Sequence, residues 1–161
     1  MPLKWWQVLL PGVIATLSID VLTAIGIGLR LIAPLPPNVI GRWFASVARA
    51  HPFHENIARA APRSHELAIA LSGHYAIGMF LTALFVLTAN GIGWPMRSLS
   101  PALAFGVCTN VFPWLLMFPA MGYGFFGAHG PEGTRLFVSS LVSHAFFGLG
   151  IWLGIRAMSL T

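Results

Sequence analysis

The 161-residue sequence predicts an all-α membrane protein: four transmembrane helices forming two parallel-repeat helical hairpins, with an interfacial helix in the first loop. Three observations carry this. The chain is 57% hydrophobic and only 8% charged, whereas soluble domains carry about 25% charge. Four long apolar stretches alternate with polar or Pro/Gly-rich segments. The second half of the chain echoes the first. A mean hydropathy of +0.78 excludes a disordered tail, the low charge excludes an ordinary cytosolic enzyme, and the single cysteine, Cys108, excludes a disulfide scaffold. Nine Lys/Arg against four Asp/Glu give +5. These cations are scattered singly, which argues against nucleic acid as a partner. The partner expected is the lipid bilayer.

The chain reads as one transmembrane domain, 1–161. The first span, residues 5–33, is bracketed by Lys4 and Arg30, with Asp20 the one ionisable residue between them. About 20 residues at 1.5 Å each cross a 30 Å hydrocarbon core, so the segment is long enough to span. Its apolar run is too long for a signal peptide and lacks a small-residue cleavage site, so it reads as a retained helix. Residues 34–65 open with Pro34-Leu35-Pro36-Pro37 and carry Arg42, Arg49, Arg59, Arg63 and three histidines. That length exceeds a bare hairpin and predicts an amphipathic helix at the interface over about residues 40–50. Arg42 and Trp43 suit the headgroup zone. The second span, 66–90, ends in the breakers Asn90-Gly91-Ile92-Gly93-Trp94-Pro95. The third covers 99–123 and the fourth 136–158, separated by a glycine-rich stretch containing Pro131. Arg30, the four loop arginines and Arg135 share one side, and Lys4, Arg97 and Arg156 the other. The positive-inside rule then places the long loop in the cytoplasm.

The repeat has two offsets. Pro11, Asp20 and Val21 meet Pro101, Asn110 and Val111 at an offset of 90. Leu71, His74 and Gly78 meet Leu141, His144 and Gly148 at an offset of 70. Hairpins so related run in the same direction and pack about a pseudo-two-fold along the membrane normal. The duplication sets Asp20 level with Asn110, and His74 level with His144.

Asp20 lies ten residues inside Arg30 and His74 eight inside Glu66, so the two can meet. A carboxylate at mid-membrane costs about 2.5–3.5 kcal/mol on insertion scales and needs a partner or a proton. The candidate ligand-binding residues are therefore Asp20, His74, Asn110 and His144, joined by Glu66 and Arg42, with Ser72, Ser143 and Thr109 as neutral members. A polar knot that only fixes helix register is the competing reading, as is an Arg42–Glu66 or Arg63–Glu66 clamp. His51, His54 and His65 have metal-competent chemistry, yet no H-E-x-x-H spacing occurs. The sequence therefore predicts neither a metal nor a cofactor. Pro113 and Pro119 interrupt the third span, freeing carbonyls that line a cavity near residues 114–123 or are absorbed by a packed kink. Gly148, Gly150 and Gly154, with Gly26 and Gly28, look like close helix contacts. No nucleophile elbow or phosphate loop is present.

Several strings occur together in order: Gly12-Val13-Ile14-Ala15-Thr16 with Asp20, Gly41-Arg42-Trp43, Ile57-Ala58 with Ala61-Pro62, His74-Tyr75-Ala76-Ile77-Gly78, Pro119-x-Met121-Gly122-x-Gly124, and His144-x-x-Phe147-Gly148-Leu149-Gly150. The set resembles a family of small bacterial inner-membrane proteins, domain-of-unknown-function family 2938, over about residues 12–153. The resemblance implies four spans and residence in the bacterial inner membrane. It makes Asp20, Arg42, Glu66, His74 and His144 part of the family's pattern and supplies no catalytic residue. The chain departs from that pattern at Phe118, where a glutamine is expected, and at Ala128-His129-Gly130-Pro131.

Three functions follow. The first is a module that binds or moves a small molecule, proton or lipid-like ligand at the Asp/His cluster. The second is a membrane enzyme acting on a lipid or quinone through histidine or a metal. The third is an accessory subunit, with a homodimer or a membrane complex as its setting. The sequence leans away from an enzyme.

Overall fold

The computed structural model describes residues 5–33 and 35–158. Lys4 and Pro34 lie outside the described residues. Helix α1 (Trp6–Gly28) stops five residues before the end of its apolar run. The stop has a local cause. Arg30 adopts φ 59°, and the Leu31 and Ile32 N–H groups both return to the Gly26 carbonyl, at 2.9 and 3.2 Å. Ile32 folds back over Gly26, leaving no room there for a Cβ. The Ala33 N–H then donates to Ser139 Oγ at 2.7 Å, which ties the turn to the last helix.

Helix α2 (Pro37–Val47) starts at a proline, whose fixed φ and missing N–H suit a first turn. It begins and ends about three residues before the sequence expectation. It packs along the first turns of α3 (Glu66–Ile92). Gly41 permits the approach: a Cβ there would overlap the Glu66 carbonyl. The third span, Leu99–Ala120, is broken. It consists of α4 (Leu99–Cys108), a π-helical turn (Pro113–Met117) and the single turn α5 (Phe118–Ala120). Pro113 donates nothing, and the Thr109 carbonyl it leaves is taken by the Phe112 N–H at 3.2 Å. The Phe118 N–H reaches back to the Pro113 carbonyl and closes the wide turn. Helix α6 (Thr134–Met158) completes the chain. Four segments are thus long and apolar enough to cross a membrane, and the described residues contain no strand.

Helix α1 packs between α3 and α6, and α6 between α1 and α4. Ala15, Phe85, Ala102, Phe147 and Ile151 form the centre of this core. Small residues set the spacing, as membrane helices require. A Cβ on Gly148 would lie 2.5 Å from the Ala102 carbonyl oxygen; on Gly150, 2.6 Å from Ala15 Cα; on Gly154, 2.6 Å from Pro11 Cα. The glycines of α1 act otherwise: Gly28 faces open space and Gly26 serves the chain reversal. A second core caps the loop side, where Val39, Ile57, Phe118, Met121, Tyr123 and Leu136 pack together. Phe118, Met121 and Tyr123 of the interrupted third span are thus taken up in this packing.

Candidate functional site

The polar side chains that bond one span to another lie between five and eleven residues from the loop-side helix ends, about 8–17 Å deep. His74 Nε2 and Asp20 Oδ1 stand 2.9 Å apart, joining α3 to α1. Thr23 Oγ1 donates to Ser143 Oγ at 2.9 Å, joining α1 to α6. Two contacts join the residues just past α4 to α6. Ser140 Oγ donates to Asn110 Oδ1 at 2.6 Å, and Thr109 Oγ1 lies 2.7 Å from His144 Nδ1. The Thr109 hydroxyl proton goes to the Gly106 carbonyl, which can only accept. Nδ1 of His144 is therefore the donor to Thr109.

Exposure divides this layer. Asn110 is fully buried and Thr109 is 4% exposed. The side chains of His74 and Asp20 are 39% and 37% exposed. The Asp20–His74 pair is open to the surroundings of the bundle, while Thr109 and Asn110, just past the end of α4, are sealed. Ser72 is exposed on α3.

Arg42 and Glu66 belong elsewhere. They sit at the loop side, about 12 Å along α3 from His74, and are 5% and 8% exposed. Arg42 Nε and Nη2 donate to the two Glu66 oxygens at 2.6 and 3.2 Å. Its Nη1 reaches the carbonyls of Ile57, Ala58 and Ala60. The Arg63 N–H adds a third bond to Glu66, at 2.7 Å. The hydrogen bond to Glu66 holds the guanidinium above its ordinary value in spite of burial. Arg42 therefore faces inward, away from the headgroup zone expected for it, and clamps α2, the loop and α3 together.

His51 and His54 meet edge to face with ring centroids 5.8 Å apart. Among the described residues, no three His, Cys, Asp or Glu side chains gather as a metal would require, and His65 does not join the other two. Burial, reinforced by His51 and Arg63, pushes His54 below its ordinary value. His54 also helps line an open polar cleft of about 660 Å³. A smaller, apolar hollow of about 330 Å³ lies by Phe126 and Phe137.

Sequence reasoning missed Thr23 and Ser140. A signal for Thr23 exists: it stands three residues after Asp20, on the same side of α1. Ser140 has no such signal, since serines are common in polar helix starts.

Four apolar spans with one internal polar layer and a loop-side cap define a multi-span helical membrane protein. Its family can also be given. The chain belongs to the family described as protein of unknown function, DUF2938, whose profile matches residues 9–158. No curated protein and no solved structure matches the chain.

Proposed function

We propose that this protein is a membrane-embedded binding module that engages a hydrogen-bonding small molecule or lipid-like ligand at Asp20 and His74, in the bacterial inner membrane with the long loop cytoplasmic. One observation carries the reading: a carboxylate–imidazole pair held at 2.9 Å, yet more than one-third exposed within helices long and apolar enough to cross a membrane. A lone carboxylate there costs about 2.5–3.5 kcal/mol, and a His74 contact that leaves both side chains more than one-third exposed offsets only part of it. A pair serving only helix register is better placed where Asn110 is, fully buried. A ligand bringing its own donor and acceptor offsets that cost.

The duplication supports the same reading. Gly78 lies against Thr16 in the first hairpin and Gly148 against Gly106 in the second, which are equivalent positions at the two offsets. Each hairpin bonds a histidine to its first helix: His74 to Asp20, and His144 to Thr109, the neighbour of Asn110. On this view the two halves are parallel repeats, with α2 as the interfacial helix of the first. One half has kept an open, ionisable pair and the other a closed, neutral one. Asn110 and His144 then support the site, and Arg42 and Glu66 hold the loop that frames it.

The test is native mass spectrometry of protein released from nanodiscs. The wild type is expected to retain a specific small-molecule adduct that Asp20→Asn and His74→Gln lose while remaining folded. Identical adducts in all three proteins, or none in any, would refute the reading. A co-purifying polypeptide lost in the same variants would favour the accessory-subunit alternative. Turnover of the retained molecule would favour the enzyme.

A further inference from the structure

The open cleft on the loop side is a second, independent place where the chain offers chemistry to a ligand. Its charge is unbalanced. Three of the four acidic residues are committed: Asp20 to His74, Glu66 to Arg42 and Glu132 to Arg135. Glu55 remains, and it lines the cleft with His51, His54, Asn56 and Arg59. Arg59 makes no ion pair among the described residues. Arg63 stands near enough to act on His54. The local balance is positive.

The wall of the cleft is fixed before any ligand arrives. The His54 N–H donates to the Ala120 carbonyl at 2.8 Å, and the Ile57 N–H to Met121 at 2.9 Å. Trp43 Nε1 holds the Pro52 carbonyl at 2.9 Å. Gly122, at φ +83°, lets the chain pass so close that a Cβ would overlap the Glu55 carbonyl. Asn56 Oδ1 accepts from the Ala58 N–H at 3.0 Å, which leaves the Asn56 amide hydrogens as donors. His54 Nε2 is withdrawn from water with no partner among the described residues. At the rim, the Phe53 ring is 75% exposed.

We propose that this cleft binds a phosphate group, carried either by a membrane-lipid headgroup or by a free phosphate, with Arg59, His51 and Asn56 as its donors and His54 as part of its wall. A guanidinium and a phosphate match in geometry as well as in charge. The surrounding basic residues outweigh the single carboxylate of Glu55. The cleft lies in the loop joining the first two candidate spans; with those spans in a bilayer, Phe53 would enter the acyl region beside a lipid bound there.

The experiment follows the His54 imidazole ¹H–¹⁵N signals of the full chain in a neutral maltoside micelle. Two probes are titrated: inorganic phosphate and short-chain phosphatidylglycerol. The His54 signal is expected to shift saturably. Half-saturation should require at least about tenfold more probe in Arg59→Gln, weaken further with added salt, and stay unchanged in Arg97→Gln at the opposite end of the bundle. His51→Gln provides a second variant, with weakening expected in the same direction. Saturation by both probes assigns the site to phosphate as such, and saturation by the lipid alone assigns it to headgroups. The proposal is overturned if neither probe saturates, or if Arg59→Gln binds as the wild type does.

Discussion

Replacing Glu66 by glutamine removes a charge without changing the shape of the clamp. Glu66 receives three bonds, from Arg42 Nε, Arg42 Nη2 and the Arg63 N–H. A glutamine oxygen can keep part of that set, but its amide turns donors toward donors. The Arg42 guanidinium, 5% exposed, is left with three backbone carbonyls and no counter-charge. Breaking one side of a buried pair costs about 3–5 kcal/mol. The magnitude should fall in that range because the same carboxylate also anchors the loop through Arg63. Unfolding by sodium dodecyl sulfate, followed by tryptophan fluorescence, gives the free-energy difference. The double variant Arg42→Met/Glu66→Leu should lose less than the two single changes added together, since contacting charges couple by about 0.5–3 kcal/mol. Strict additivity, or a Glu66→Gln loss below about 1 kcal/mol, would show that the pair does not hold α2 to α3.

Other perturbations test other parts of the structure. Gly148→Ala drives a methyl group into the backbone of α4 and should cost about 1–3 kcal/mol, whereas Gly28→Ala, with nothing within 4 Å, should be neutral or slightly stabilising; similar losses in the same denaturant titration would contradict the packing described for α6. Asp20→Asn keeps an acceptor for His74 and removes a charge from hydrocarbon, so stability should stay within about 1 kcal/mol of wild type while the adduct in nanodiscs disappears; gross unfolding would mean that the carboxylate is needed for assembly. His54 binds its proton less readily in the folded chain, owing first to burial and then to His51 and Arg63. The unfolded chain, with a value near about 6.5, takes up the proton first, so the His54 contribution is intact above that value and is lost as pH falls below it. Stability measured from pH 7.5 down to 5 should drop more steeply in wild type than in His54→Gln, and equal slopes would count against the burial described.

The spans and the Asp20–His74 encounter were legible because both depend on counting. Charge scarcity marks lipid-facing helices, and residues equally far from a common boundary arrive at one depth. The end of α1 was not, since Leu31, Ile32 and Ala33 continue the apolar run and only the left-handed Arg30 stops the helix. Arg42 was misplaced for a related reason. Next to a tryptophan on an amphipathic helix, it has the signature of a headgroup contact, and its inward turn depends on Gly41, Glu66 and three loop carbonyls meeting in space. The prolines announced a break in the third span without saying how it would be absorbed. The answer, a π-helical turn packed by Phe118, Met121 and Tyr123, depends on residues from α2, the loop and α6.

The position of α6 bears on how the molecule is made. Ribosomes release the spans in order, and α6 is the last of the four to leave. Until it does, the α1 face that will receive Gly150 and Gly154 has only lipid against it, and Thr23 has no Ser143 to bond. The third span waits as well, with Thr109 and Asn110 lacking His144 and Ser140. Insertion can therefore proceed span by span, but assembly becomes a single late event in which the final helix closes both halves at once. A nascent chain halted before Thr134 would carry three inserted spans with Thr23, Thr109 and Asn110 still lacking their α6 partners, the kind of intermediate that membrane quality control can detect.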